Sequence, residues 1–361
     1  MAAGQVDIAA LQSAIGDFPD PETGRSLASL SQIRDLKVEG DRASLTLALT
    51  THSAPIWNET RDKLIERIKS RLPQLKEVRV DLAVHERPAL KIGNIGLTAK
   101  SVIAVGSGKG GVGKSTIAAV LALGLKRAGC KVGLMDADVY GPSVPHLLGL
   151  SDAPRPEVIE GKIRPIYFGD MPVMSMGFLV PPGEAVVWRG PMLHGAITQF
   201  LRDTAWGDLD YLIIDMPPGT GDIALTLSQM LPLTGAVVVC TPQEVALLDA
   251  VKAIAMFRKV NIPILGMVEN MSGFICPDCN KKYDIFGSGG ARRKAEELKV
   301  PFLGEVPLNM QIRVKGDEGS TFGNFDDPIV GPFLERIVTT LVRNRASAAA
   351  VSPPVMQLPT L

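Results

Sequence analysis

The sequence predicts an α/β fold: a mostly parallel sheet with helices on both faces, preceded by a small α+β domain. Three observations carry this reading. From about residue 100 to 345, short apolar runs alternate with stretches of helical spacing, as strands buried on both faces do. One of these runs, Ser101-Val102-Ile103-Ala104-Val105, leads straight into a glycine-rich loop and then a helix. Before residue 88 the pattern changes to half-buried alternating strands around one amphipathic helix.

In order along the chain, Val6 to Ile15 is predicted helical. Ile33–Val38 and Ala43–Leu49 alternate as strands, and Gly40-Asp41 between them signals a hairpin. Asn58 to Leu72 spaces Leu64, Ile65, Ile68 and Leu72 on one helical face, and Val78–Leu82 alternates as a third strand. Residues 1–88 therefore form the small domain, and residues 89–99 a linker. In the domain of residues 100–345 the predicted strands are Val102–Val105, Val132–Met135, Val173–Met176, Tyr211–Ile214, Ala236–Cys240, Ile264–Glu269 and Phe302–Val306. Residues 346–361, rich in Ala, Ser and Pro, read as a disordered tail.

Composition narrows the function classes. Lys and Arg number 38, Asp and Glu also 38, and 46% of the residues are hydrophobic. That balance argues against broad electrostatic binding of nucleic acid. No apolar run approaches the roughly 18 residues of a membrane span. The N-terminus lacks the basic and apolar regions of a signal peptide, so a cytoplasmic protein is expected, with neither nucleic acid nor membrane as partner.

Gly108 to Ser115 fits G-x-x-x-x-G-K-[ST], the phosphate-binding loop. Between a strand and a helix, Gly108, Lys109, Gly110, Gly111, Val112, Gly113, Lys114, Ser115 and Thr116 would aim backbone N–H groups at phosphate oxygens. Lys114 would reach the β and γ phosphates, and the Ser115 hydroxyl would ligate Mg2+. Gly106, Gly108 and Gly111 also satisfy G-x-G-x-x-G, but a dinucleotide loop does not need the Gly-Lys-Ser ending. ATP with Mg2+ is the expected ligand. Asp215 ends an apolar strand, where a carboxylate holds Mg2+ directly or through water. The stiff turn after it, Met216-Pro217-Pro218-Gly219, exposes the Gly219 N–H as a γ-phosphate sensor.

Cys276-Pro277-Asp278-Cys279 has C-x-x-C spacing, which suits zinc, an iron–sulfur cluster or dithiol chemistry. One pair cannot complete a four-thiolate shell. Cys130 and Cys240 sit at strand ends and read as buried apolar thiols. A homodimer contributing two cysteines from each chain would complete the shell on its two-fold axis.

A second lysine in the loop, Lys109, resembles the deviant P-loop of the dimeric ATPases that include nitrogenase iron protein, MinD, ParA and the Mrp/ApbC carriers. The resemblance implies that Lys109 crosses the dimer interface to the partner's nucleotide, tying hydrolysis to dimer closure. Four runs are similar to the Mrp/ApbC group in particular: residues 136–143, 188–192, 215–222 and 268–274, the last followed by Gly287-Ser288-Gly289-Gly290. The resemblance implies an ATP-binding, slowly hydrolysing carrier that holds a [4Fe–4S] cluster between two subunits through Cys276 and Cys279. Cluster donors and recipient apoproteins would be its partners. Asp138 would orient or deprotonate the attacking water, Asp136 would support Mg2+ or the switch, and Asn270 would meet the adenine edge. Pro307 to Asp317 would close over the base.

The N-terminal unit resembles the metal–sulfur-assembly domain fused to bacterial members of this group, through Pro21-Glu22-Thr23-Gly24-Arg25-Ser26 and Leu45–Thr50. Many relatives carry a cysteine before this proline, Pro55, where this chain has Ala54, so the domain is expected to dock partners and not to ligate metal. Two alternatives share part of this signature. A MinD/ParA-like positioning ATPase, with a structural zinc or an unliganded C-x-x-C, would need a basic DNA surface or a terminal membrane helix. Phe333 to Val342 is amphipathic but reads as a helix closing the sheet. An electron donor like the nitrogenase iron protein would draw its cysteines from separate segments.

Overall fold

The computed structural model describes residues 6–93, 95–139, 141–179, 190–219, 221–279 and 281–351. Tyr140, Trp188, Arg189 and Thr220 of the sequence motifs, and residues 352–361 of the expected tail, lie outside them. The chain divides into one unit of Met1–Arg87 with Val342–Leu361, and a second of Pro88–Leu341.

The first unit contains α1 (Ile8–Ile15), β1 (Ile33–Glu39), β2 (Arg42–Leu49), α2 (Trp57–Arg71) and β3 (Glu77–Val84). β1 and β2 form the hairpin that turns at Gly40-Asp41, and β3 joins β2 in parallel. Alternation along β2 buries Ala43, Leu45, Leu47 and Leu49 against Leu64 and Ile68 of α2. Every element expected from periodicity is present, within two residues at each end.

The second unit begins with β4 (Lys91–Ile92), β5 (Leu97–Gly106), α3 (Lys114–Arg127), β6 (Val132–Asp136) and α4 (Val144–Leu147). Next come β7 (Val158–Ile159), β8 (Lys162–Ile163), β9 (Ile166–Phe168), β10 (Met171–Ser175), α5 (Gly190–Asp203), β11 (Leu209–Asp215) and α6 (Gly221–Met230). It closes with β12 (Gly235–Cys240), α7 (Glu244–Lys259), β13 (Ile264–Ile275), β14 (Lys282–Tyr283), α8 (Gly290–Leu298), β15 (Phe302–Leu308), α9 (Met310–Asp317) and α10 (Gly331–Val351).

The main sheet runs β14-β13-β12-β5-β11-β6-β10-β9, with β15 also on β13 and β4 on β5. β15, β13, β12, β5, β11, β6 and β10 are mutually parallel, whereas β4, β9 and β14 run antiparallel to their neighbours. Register places Asp215 beside both Val105 and Asp136, so the loops after β5, β11 and β6 open side by side at the carboxyl edge. Ligands of such sheets bind at that edge. Helix α3, which starts at the phosphate loop, is apolar nearly all round and is buried from Ile117 to Leu125. A fixed, buried helix gives the loop a rigid base.

Three expectations about boundaries are corrected. The expected linker, residues 89–99, already contains β4 and the first residues of β5, paired as Lys91 with Thr98 and Ile92 with Leu97. The expected tail is helical from Ala346 to Val351, because α10 runs on through Ala-Ser-Ala-Ala-Ala, a run of strong helix formers. Finally, the second unit ends at Leu341 and not at the expected 345. Residues from Val342 belong to the first unit, where Arg343 makes a two-pronged bond to Glu59 at 2.9 and 2.5 Å.

Candidate nucleotide and cluster site

Gly106 ends β5, and the loop from Ser107 to Gly113 turns into α3. Two glycines are required by close approach. A side chain at Gly108 would fall 2.1 Å from the Asp249 carbonyl oxygen of α7. Gly113 has φ of +80°, and a side chain there would fall 2.1 Å from Asn270 Nδ2. Ser107 Oγ donates to the Lys109 carbonyl at 2.9 Å, which braces the loop from inside. Lys109 itself is half-exposed and makes no ion pair among the described residues.

Lys114 is nearly buried, and its ammonium points inward. Its Nζ lies 2.5 Å from Asp215 Oδ1, 3.5 Å from Asp138 Oδ2 and 3.1 Å from Ser115 Oγ. Lys114, Asp215, Asp138 and Ser115, each singled out separately in the sequence, are thus one cluster. Asp215 is fully buried, yet its Oδ2 has no hydrogen-bond partner among the described residues. Burial pushes the Asp215 carboxyl above the usual carboxylate range, against the pull of Lys114. An orphaned carboxylate oxygen beside a serine hydroxyl fits Mg2+ or its coordinated water.

Asp136 has a different environment. Its Oδ1 accepts from the Asp138 N–H at 3.1 Å, and its Oδ2 accepts from the Val144 N–H at 3.2 Å and from Ser175 Oγ at 3.0 Å. Burial, with the Asp215 carboxylate alongside, pushes its carboxyl up to about 7. Asp136 therefore pins the loop that carries Asp138. Asp138 Oδ1 accepts a 3.3 Å bond from the Gly141 N–H, and its Oδ2 is directed at the lysine. The Gly219 N–H, expected to sense phosphate, donates to the Ser107 carbonyl at 3.1 Å. Asn270, expected at the adenine edge, donates its Nδ2 to the Val112 carbonyl at 3.0 Å. In this structure both residues hold the phosphate loop. Pro307 to Asp317 spans the end of β15 and α9, which Asn309 caps through the Gln311 and Ile312 N–H groups.

β13 continues six residues past its expected end, through Ile275 into Cys276. It returns as β14, with Phe274 opposite Tyr283 and Ile275 opposite Lys282. The Cys276 N–H donates to the Lys281 carbonyl at 3.0 Å, closing a hairpin with Cys276 and Cys279 at its tip. Cys279 is exposed and Cys276 half-buried, whereas Cys130 and Cys240 are buried. The backbone N–H groups of Cys279 and then Asp278 point at the Cys276 sulfur and hold its thiol below the ordinary value. Burial pushes the Cys240 thiol up to about 12. Two sulfurs at one tip, with N–H groups stabilising negative sulfur, suit a thiolate-bound metal centre. Among the described residues no group of three or more His, Cys, Asp and Glu is gathered to hold a metal ion, so this tip offers two ligands per chain.

Residues 98–342 match a family described as NUBPL iron-transfer P-loop NTPase. The chain belongs to that family. Residues 8–82 of this iron-transfer P-loop NTPase match a second family, described as iron–sulfur cluster assembly protein. Over 356 residues the chain is 45% identical to the iron–sulfur cluster carrier protein of Deinococcus radiodurans, spanning 98% of this chain and 99% of that one. Among solved structures, a nucleotide-binding protein of Archaeoglobus fulgidus in complex with ADP is 40% identical, with a TM-score of 0.56 over 64% of this chain and 90% of that one. The cell division ATPase MinD of Pyrococcus furiosus shares the fold, at 22% identity and a TM-score of 0.50 over 66% of this chain and 97% of that one.

Sequence reasoning gave no role to three residues of this NTPase: Ser107, which receives Gly219, Ser175, which holds Asp136, and the buried Glu269. Ser107 and Ser175 are single hydroxyls in ordinary contexts and carried no signal. Glu269 did carry one, being an acid at the end of an apolar strand beside Asn270.

Within the N-terminal unit, Ala54 lies in a short 3-10 turn, Thr51–Ile56. The motif starting at Pro21 is held by ion pairs. Arg87 reaches Asp20 at 2.9 Å and Glu22 at 3.2 Å, and Thr50 donates to Glu22. These acids are engaged in holding the fold.

Proposed function

We propose that this chain is an ATP-binding iron–sulfur cluster carrier. It takes a [4Fe–4S] cluster as cargo between two copies of itself, Cys276 and Cys279 supplying the thiolates from each chain, and passes it to apoproteins. The observation that carries the reading is the hairpin tip. Of four cysteines, only these two reach solvent, and backbone N–H groups favour the thiolate at Cys276. A cluster held by one short hairpin per chain is shallow and transferable. Such a cargo calls for a reducing compartment, which the cytoplasm provides.

The nucleotide half of the reading follows from the lysine cluster. Phosphate oxygens arriving at the loop replace Asp215 and Asp138 as partners of Lys114. Ser115 and Asp215 would hold Mg2+, whose charge offsets that of the β and γ phosphates. Released from Lys114, Asp138 orients the attacking water and accepts its proton. Gly219 exchanges the Ser107 carbonyl for the γ-phosphate. Lys109 reaches the nucleotide of the partner copy. Hydrolysis is slow and acts as a switch.

The test is anaerobic reconstitution with iron and sulfide, read by metal and sulfide analysis and by visible and Mössbauer spectra. About four irons and four sulfides per dimer, lost in Cys276→Ala while nucleotide binding persists, is the expected result. Zinc alone, no metal, or a cluster retained by Cys276→Ala overturns it in favour of a scaffold or positioning ATPase.

A further inference from the structure

Glu269 is a buried carboxylate that the functional reading does not use. Glu269 is fully buried and has no ion pair among the described residues. Its Oε1 accepts from Ser272 Oγ and from the Gly289 N–H, each at 2.6 Å, and its Oε2 accepts from the Ala291 N–H at 2.6 Å. Charge-assisted bonds this short are the strong ones. They fasten the middle of β13 to the turn that opens α8. The same turn touches the cysteine hairpin twice: Gly273 N–H donates to the Gly287 carbonyl, and Gly287 N–H to the Asp284 carbonyl, each at 3.1 Å.

Asn270 is the next residue. Strand alternation sends successive side chains to opposite faces, so Asn270 grips the phosphate loop at Val112 while Glu269 grips the turn beside the hairpin. Between this pair and Cys276 the strand is irregular. Met271 has φ of +58°, a strained conformation for a residue with a side chain, and the pairing of β13 with β15 shifts register between Asn270 and Phe274. Strain of this kind collects at switch segments.

We propose that Glu269 is a positioning residue that, together with Asn270, transmits the state of the phosphate loop to the cysteine hairpin, with Met271 as the pivot. This rests on Cys276 and Cys279 being the cluster ligands. When nucleotide moves the loop, Asn270 moves with it. Glu269 holds the α8 turn to the same stretch of β13, so the displacement is expressed at the hairpin. Without Glu269 the hairpin follows the α8 turn less closely and loses its link to the nucleotide.

The experiment measures the alkylation rate of Cys276 by mass spectrometry in the full, cluster-free chain, with and without Mg-ADP and a non-hydrolysable ATP analogue. Wild type, Glu269→Gln and Ser272→Ala are compared. Glu269→Gln keeps the size but turns one acceptor into a donor, and Ser272→Ala removes one donor. Nucleotide is expected to change the wild-type rate by about fivefold or more, a typical size for coupling between sites. Both variants should bring that ratio close to one while still binding ADP. A wild-type rate indifferent to nucleotide, or a wild-type ratio preserved in both variants, overturns the proposal. A merely structural role gives that second result, with a lowered Tm and an unchanged ratio. Failure of the wild type to take up iron and sulfide is a separate outcome: it removes the cluster reading and leaves the alkylation ratio to be judged by itself.

Discussion

The ammonium of Lys114 lies 2.5 Å from the carboxylate of Asp215, whose second oxygen, in the interior, is unpartnered among the described residues. The lysine expected to bind phosphate and the acid expected to help hold its metal thus neutralise each other in this structure. Such a pair costs desolvation, and what it contributes depends on both members being present.

Removing the lysine alone leaves a buried carboxylate without its cation. Lys114→Ala is expected to abolish ATP hydrolysis and to lower unfolding free energy by about 3–5 kcal/mol. The double variant Lys114→Ala with Asp215→Asn, which removes the stranded charge, should recover much of that loss and none of the activity. Urea unfolding and phosphate release check both. A double variant no more stable than the single one would show that the pair is not coupled.

Lys109 is half-exposed and makes no ion pair among the described residues, so it is available to a second copy. Lys109→Ala should leave ADP binding intact and reduce hydrolysis by about tenfold or more, as expected for a lost transition-state cation. Mixing this variant with an excess of Lys114→Ala chains should restore part of the rate, because each mixed dimer then has one complete site. Hydrolysis that stays at the single-variant level in the mixture would place the action of Lys109 within its own chain.

Acid sensitivity has an identifiable source in the first unit. The bond from Arg343 holds the Glu59 carboxyl below its ordinary value of 4.5. A depressed carboxylate stabilises the fold fully above its unfolded pKa and loses that contribution as pH falls through the folded value. Both partners are partly exposed, so the pair is worth at most about 1 kcal/mol. Arg343→Ala should therefore lower Tm at about pH 7, and the gap to wild type should narrow steadily below about pH 4.5. Thermal melts across that range read it, and a gap independent of pH would point to lost packing in place of charge.

Local signals made most of this molecule legible. Strand and helix periods gave the parallel sheet and the N-terminal hairpin. The spacing of Gly108, Lys114 and Ser115 gave the phosphate loop, and the pair Cys276 and Cys279 gave the thiol site. Legibility failed where a residue's partner is distant in sequence. Asn270 reads as a base contact, and only the fold sets it against Val112, 158 residues away. Ala346 to Val351 reads as a tail by composition, yet α10 carries through it, and Arg343 meets Glu59, 284 residues earlier.

The sequence by itself determined the chemical candidates: a loop of phosphate-binding pattern, the acids at the ends of nearby apolar runs and a thiol pair of metal-ligand spacing. These depend on residue type and short spacing, and the covalent chain enforces both. Only the tertiary structure decided how those groups are divided among tasks. Asp136 and Asp138 are two residues apart, at the end of β6 and just beyond it, yet one is pinned by Ser175 and Val144 while the other faces Lys114. That division arises because parallel strands β6, β11 and β10 bring their ends into register, and register is a property of the packed sheet, not of any one strand.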